Sequence, residues 1–339
     1  MKTKLKNITN YIKKYLKENY ISLILLILFA CFCFYDTGYS IYKPGGTINS
    51  SERVSGTDLY KSQGTFNMAY VGYMKAKLPY YLMAKLIPSW ELVKNDELTI
   101  SDNETLNDML VRDHIEYKSA ISNATKVAFD YANIDYQITK TTSYVYYKNP
   151  LSKSNIKIGD KLISYDNHQM TSLDELKKYI NSKNVNDTIH IKYIEDNKEK
   201  TEDTKIYEEN NVKYIGLAFI NINDYSSKYN IKIKSKESES GPSGGLITAL
   251  AIYNSITKED ITKGKKIVGT GTIAENGKVG EIGSVKFKLA AAEKNNADIF
   301  LCPTENYEEV STYAKKHKLK INVKSVSTFA EAVEYLKTI

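Results

Sequence analysis

This 339-residue chain has few of the residue types on which cofactor, metal and disulfide chemistry rest. It has three cysteines, and Cys31 and Cys33 both lie inside one apolar segment. Cys302 is therefore alone in the remainder, where no internal disulfide can form. It closes the run Ile299-Phe300-Leu301-Cys302 and reads as the buried end of a strand. Histidines number four. His114 has no second ligand four residues on, and His168 and His190 read as turn and strand surface, so no metal site is indicated. No Gly-x-x-x-x-Gly-Lys-[Ser/Thr] loop occurs, so neither nucleotide nor cofactor is expected.

Surplus charge is also scarce once it is located. The formal net charge is +7, but residues 1–19 set six lysines against Glu18, which leaves +2 over the other 320 residues. Nucleic-acid binding thereby loses its main support.

One long apolar run is present, from Tyr20 to Tyr35. As a helix it would span ~24 Å, a little short of the ~30 Å hydrocarbon core of a bilayer. Its tyrosines suit the interface, and Tyr39–Tyr42 could extend it past Asp36. Residues 20–40 are accordingly expected as a single-pass anchor, with the lysine-rich tail 1–19 cytoplasmic and the rest extracellular. A cleaved signal peptide is the rival reading, but no small-x-small site follows the apolar core.

The richest stretch runs from Ser238 to Ala292. Gly241-Pro242-Ser243-Gly244-Gly245 sets a serine between glycines just ahead of an apolar helix-forming run. Glycines allow a sharp turn and close approach of a substrate, and a helix start leaves unpaired N–H groups near the serine. A base is then needed. The five residues also fit the Gly-x-Ser-x-Gly elbow, whose histidine follows in the chain. The one downstream histidine, His317, sits in Lys315-Lys316-His317-Lys318 and reads as a solvated turn. The alternative base is a lysine, which must shed its proton to act, so its pKa must fall well below roughly 10.4.

Three blocks in register, Gly241-Pro242-Ser243-x-Gly245, Thr270-Gly271-x-Ile273 and Ile282-Gly283-x-x-Lys286-x-Lys288-Leu289-Ala290-Ala291, resemble the proteolytic domain of Lon-type Ser-Lys proteases. Ser284-Val285 stand where Gly-Leu is usual, and Thr272 where an acid is common. The resemblance implies Ser243 as nucleophile, Thr270 as support, and the backbone N–H groups of Ser243 and Gly244 as oxyanion donors. Lys286 and Lys288 cannot both face the serine, because residues two apart on a helix point to different sides. The family spacing of 43 residues from Ser243 designates Lys286.

Between anchor and serine the pattern is mixed. Thr65–Tyr73 has strand character, and Lys77–Trp90 reads as a packed loop, with the membrane face as the alternative. Ser101-Asp102-Asn103-Glu104 looks like a capping-box start for a long helix whose apolar stripe includes Leu106, Met109, Leu110, Tyr117, Ile121, Ala124, Ala128 and Tyr131. Strands at Tyr136–Thr139 and Tyr144–Tyr147, the block Ile158-Gly159-Asp160-Lys161-Leu162-Ile163, a capped helix from Ser172 and a final strand Thr188–Tyr193 resemble a PDZ domain, without a Gly-Leu-Gly-Phe-type carboxylate loop. Tyr214–Ile220 reads as a buried strand, and after residue 286 helix, strand, helix, strand and helix alternate.

The expected fold is therefore multidomain, α+β and α/β: tail 1–19, anchor 20–40, a juxtamembrane region 41–117 with Thr65–Tyr73 as candidate contributor to the protease fold, a PDZ-like module 118–212, and a Lon-type proteolytic α/β domain 213–339. This order resembles the membrane-anchored PDZ–Lon-like proteases of Gram-positive bacteria. It implies an ATP-independent serine endopeptidase acting on exported peptides or on unfolded or membrane-associated segments, with the PDZ module engaging substrate. A homo-oligomeric ring, as in Lon relatives, is a further implication. The second reading is a PDZ adaptor on an inactive protease-like domain, and the third an esterase.

Overall fold

The computed structural model describes residues 2–101, 104–150, 152–236 and 238–339. Two compact units divide the chain: Met1–Lys43 with Gly72–Glu97, and Pro44–Val71 with Leu98–Ile339.

In the first unit, helix α1 covers Lys2–Phe34. Its stretch Lys13–Phe34, 22 residues, is long and apolar enough to cross a membrane. At 1.5 Å per residue this is ~33 Å, against the ~24 Å of the apolar core alone. The helix stops at Phe34. Residues 36–40, expected as part of the anchor, instead begin the strand Asp36–Asn49. At the junction the Asp36 carboxylate accepts from the Gly38 N–H at 3.1 Å and pairs with Lys77.

Lys77–Trp90 is not a loop. It forms helix α2 (Leu78–Leu86), followed by the strand Glu91–Lys94, which pairs antiparallel with Tyr39–Tyr42. Pro79 lies in the first turn, where its missing N–H has no helical partner to lose, and Pro88 follows the helix end.

In the second unit, helix α3 spans Leu106–Tyr131 and starts later than the sequence suggested. Thr105 is the N-cap, in a reciprocal capping box with Asp108. Asp102 and Asn103 lie outside the described residues. Glu104 is instead buried in an ion pair with Arg112. Met109, Tyr117, Ala124 and Ala128 are buried as their periodicity predicts. The boundary expected at 117/118 falls inside this one helix.

The β-rich module holds the strands Tyr136–Lys148, Lys161–Tyr165, Thr188–Glu195 and Lys198–Lys205, with helix α4 (Leu173–Ser182) over a core of Val145, Ile156, Leu162, Leu176, Ile189 and Ile191. Thr188–Glu195 is not the final strand. Asp196 and Asn197, at φ +49° and +62°, make a tight hairpin turn into Lys198–Lys205. The run expected to open the proteolytic domain is the strand Leu217–Ser227, which pairs antiparallel with Tyr136–Lys148 along its length and closes that edge of the sheet.

The remaining layer is doubly wound. Parallel strands Asn322–Val326, Ile299–Pro303 and Lys266–Gly269 continue into Thr65–Lys77, with Asn67 opposite Val268. A strand from before the β-rich module thus joins this sheet. Alternation sorts its side chains. Ile267, Ile299 and Leu301 face helices α5 (Gly245–Ile256) and, further on, α8 (Phe329–Lys337), while Val268, Phe300 and Cys302 face helices α6 (Val285–Lys294) and α7 (Tyr307–His317). Cys302 is fully buried, which pushes its thiol up to about 12.

Candidate active site

Ser243 sits on the turn into α5. That helix is apolar on nearly every side and almost wholly buried, so its start is fixed by packing rather than by a side-chain cap. Gly241 takes φ +81°, a conformation that favours glycine, and its N–H donates to the Asp113 carbonyl of α3 at 2.8 Å. Gly244 and Gly245 are required by close approach. A Cβ on Gly244 would lie 1.8 Å from Met68 Sδ, and one on Gly245 2.7 Å from Ile273 Cγ2. The Ser243 carbonyl accepts twice, from Gly271 N–H at 2.7 Å and from the Thr270 hydroxyl at 3.0 Å. The serine is held from behind while its side chain stays half-exposed.

The lysine that meets it is Lys288. Its Nζ lies 2.8 Å from Ser243 Oγ and 3.2 Å from Thr270 Oγ1. This corrects the expectation for Lys286, and helical phase is the reason. Ser284, at φ +56°, starts α6, and one face of the helix then carries Val285, Lys288, Leu289 and Ala292, all buried. Lys286 falls outside that face, with Nζ 5.1 Å from the Phe287 ring centroid. The interval from Ser243 is 45 residues, two more than the family spacing.

Lys288 is 4% exposed, and burial alone lowers its pKa from 10.5 to about 7. Thr270 is fully buried, and its one hydroxyl hydrogen is committed to the Ser243 carbonyl, so toward Lys288 it can only accept. A neutral lysine has two N–H bonds and one lone pair. With an N–H on Thr270, the lone pair is free to face the Ser243 hydroxyl. Among the described residues the N–H groups of Ser243 and Gly244 have no acceptor, and they stand at the positive end of α5. His317 stacks on Tyr313 at 4.2 Å at the end of α7 and makes no hydrogen bond to Ser243 among the described residues.

A further set of residues, of which the sequence pattern marked only Tyr117 and that as a member of the helix stripe, holds the loop ahead of the serine. Arg53 binds both Glu239 oxygens at 2.6 Å, and Tyr117 of α3 donates to Glu239 Oε2 at 2.9 Å. Burial works against the charge on Glu239. Arg53, the Lys236 N–H and Tyr117 together still hold it below the usual carboxylate range. Asp113, whose carbonyl anchors Gly241, is raised to about 6 by burial and by Glu116. Arg53, Asp113 and Tyr117 are distant in sequence from Ser243 and carry no local motif. Only the long helix stripe pointed to α3.

The site is thus a buried lysine hydrogen-bonded to a half-buried serine beside a doubly wound sheet. Residues 220–338 match the Lon protease (S16) C-terminal proteolytic domain, and residues 132–206 match a PDZ domain. Over these two stretches the chain is similar to PDZ domains and to the proteolytic domain of Lon proteases. Lon protease 2 of Borreliella burgdorferi is 28% identical over 134 residues, covering 36% of this chain and 17% of that protein. The Lon protease of Neorickettsia sennetsu is 33% identical over 98 residues, covering 29% of this chain and 12% of its own length. This chain thus spans less than a fifth of the length of those relatives. Among solved structures, the PDZ domain of the SdrC-like protein from Listeria monocytogenes is 25% identical, covers 25% of this chain and 93% of its own, and has a TM-score of 0.24.

Proposed function

We propose that the chain is a membrane-anchored serine endopeptidase that cleaves peptides or unfolded protein segments through a Ser243–Lys288 dyad, without a nucleotide. The observation that carries this reading is the 2.8 Å contact between Ser243 Oγ and a Lys288 amine whose pKa is lowered to about 7. Neutral Lys288 takes the Ser243 proton as Oγ bonds to the substrate carbonyl carbon. The developing oxyanion is met by the N–H groups of Ser243 and Gly244. Lys288 then passes the proton to the leaving amine nitrogen as the C–N bond breaks; in the second half it takes a proton from water as the water oxygen bonds to the acyl carbon, and returns it to Ser243 Oγ as the acyl C–O bond breaks. Thr270 holds the amine in line.

In this reading α1 is the membrane span, its lysine-rich start is cytoplasmic, and the PDZ domain brings exported or membrane-associated substrates to the site. Assembly into a ring, as the Lon resemblance implies, belongs to the same reading. The test uses the full chain in lipid nanodiscs with a fluorogenic unfolded protein and a fluorophosphonate probe. Wild type should cleave without nucleotide and take up the probe, and Ser243→Ala should do neither while keeping its circular dichroism spectrum. Probe uptake with intact peptide would make the protein an esterase. A folded wild type that neither reacts nor cleaves would make it an adaptor.

A further inference from the structure

Helix α2 has one face left exposed among the described residues. On its inner side Ala84 is buried and Tyr81 packs on Tyr39 at 5.2 Å, within a small core that includes Ile41, Ala76 and Trp90. Its outer side is apolar without interruption. At about 100° per residue, Leu82, Leu86, Pro79 and Met83 fall within one quadrant, flanked by Lys85 on one side and Tyr80 on the other. Leu86 is 82% exposed, and Leu82, Met83 and Tyr80 are each more than 40% exposed. Contiguous apolar surface of this kind marks a contact with another apolar phase.

The position of α2 says which phase. The Leu78 N–H, the first of the helix, donates to the Tyr35 carbonyl at 3.1 Å, and α2 packs on α1. Tyr35 is the residue just past the candidate span Lys13–Phe34. A span of ~33 Å reaches slightly beyond a ~30 Å hydrocarbon core, so its last residues meet the headgroups. The start of α2 is fixed at that level. A short helix with a leucine and methionine face bordered by lysine and tyrosine has the composition of an interfacial helix. Lys75 and Lys85 are exposed nearby, which suits anionic headgroups.

We infer that α2 lies in the membrane–water interface beside the end of α1, with Leu82, Met83 and Leu86 inserted among the lipids. The inference rests on the reading of α1 as a membrane span. It gives the protein a second membrane contact, which would limit the tilt and rotation of the unit that emerges from the bilayer.

The test places a polarity-sensitive fluorophore on single cysteines of the full chain, in a Cys31→Ser, Cys33→Ser background, with one chain per nanodisc of phosphatidylcholine and phosphatidylglycerol. Cys302 is fully buried and stays unlabelled. Labels are set at Leu86→Cys, at Phe29→Cys in the span, and at the exposed Val212→Cys in the β-rich module. The Leu86 label should be quenched by lipids carrying a shallow nitroxide, and its quenching by aqueous iodide should be about fivefold weaker than at position 212. Iodide quenching at 86 equal to that at 212, with the Phe29 label still quenched by deep nitroxides, would overturn the interfacial helix and leave the anchor standing. A Phe29 label that escapes deep nitroxides would overturn both. Protection of position 86 only when two chains share a disc would assign the face to a second copy and overturn the bilayer contact.

Discussion

Replacing Lys288 by methionine should make the protein more stable at neutral pH. Burial lowers the lysine from 10.5 to about 7, so folding at pH 7 requires the amine to give up a proton that it keeps in the unfolded chain. That gap corresponds to about 5 kcal/mol at about 1.4 kcal/mol per pH unit. The methionine variant avoids this cost but loses the hydrogen bonds to Ser243 and Thr270, about 1 kcal/mol each. A net gain of about 2–3 kcal/mol remains. The sign with pH follows. Between about 7 and 10.5 the unfolded wild type binds one more proton than the folded form, so wild-type stability rises with pH across that window. The variant lacks this slope, and its advantage should close near about pH 9. Urea unfolding of the full chain in nanodiscs, followed by far-ultraviolet circular dichroism from pH 6.5 to 9, measures both. A methionine variant less stable than wild type, by the same margin at every pH, would refute the buried neutral amine.

Three further outcomes are expected. For an uncharged peptide, kcat/KM of the wild type should rise with pH through about 7 as Lys288 loses its proton, and a plateau already reached at pH 5.5 would point to another base. Thr270→Val should lower kcat by about 10- to 100-fold with little change in KM, since it removes the acceptor that orients Lys288 without touching the substrate surface. Gly244→Ala should cost about 1–3 kcal/mol in a urea titration, because its Cβ would run into Met68 Sδ, and Met68→Ala in the same chain should restore part of that loss.

Much of this centre was legible before the fold. Ser243 and Thr270 lie in short motifs whose glycines are demanded by a positive φ or by local crowding, and such constraints leave a mark in sequence. The lysine was harder because two candidates two residues apart are separated only by helical phase. A count of 43 from Ser243 fails because the lysine that meets it stands 45 residues on. The phase was available in the residues themselves: Val285, Leu289 and Ala292 share a face with Lys288 and not with Lys286.

The fold shows the same division. Alternating apolar strands such as Ile299–Pro303 could be read directly, whereas Lys198–Lys205 is an exposed edge strand with almost no apolar residue, formed because a hairpin turn presents it to a paired neighbour. Helix α2 was hidden by its two prolines, although one lies in the first turn and the other beyond the last. The pairing of Leu217–Ser227 with Tyr136–Lys148 depends on a sheet edge far away in the chain, which no local pattern records.

The measurement closest to the central claim compares peptide cleavage by Lys286→Ala and Lys288→Ala in otherwise identical full-length protein. Lys288 touches Ser243 and Thr270, whereas Lys286 lies off the buried face of α6. The Lys288 variant should lose at least about 10⁴-fold in kcat/KM, and the Lys286 variant should stay within about threefold of wild type. A folded Lys288→Ala protein that still cleaves, or an inactive Lys286→Ala protein, would contradict the dyad.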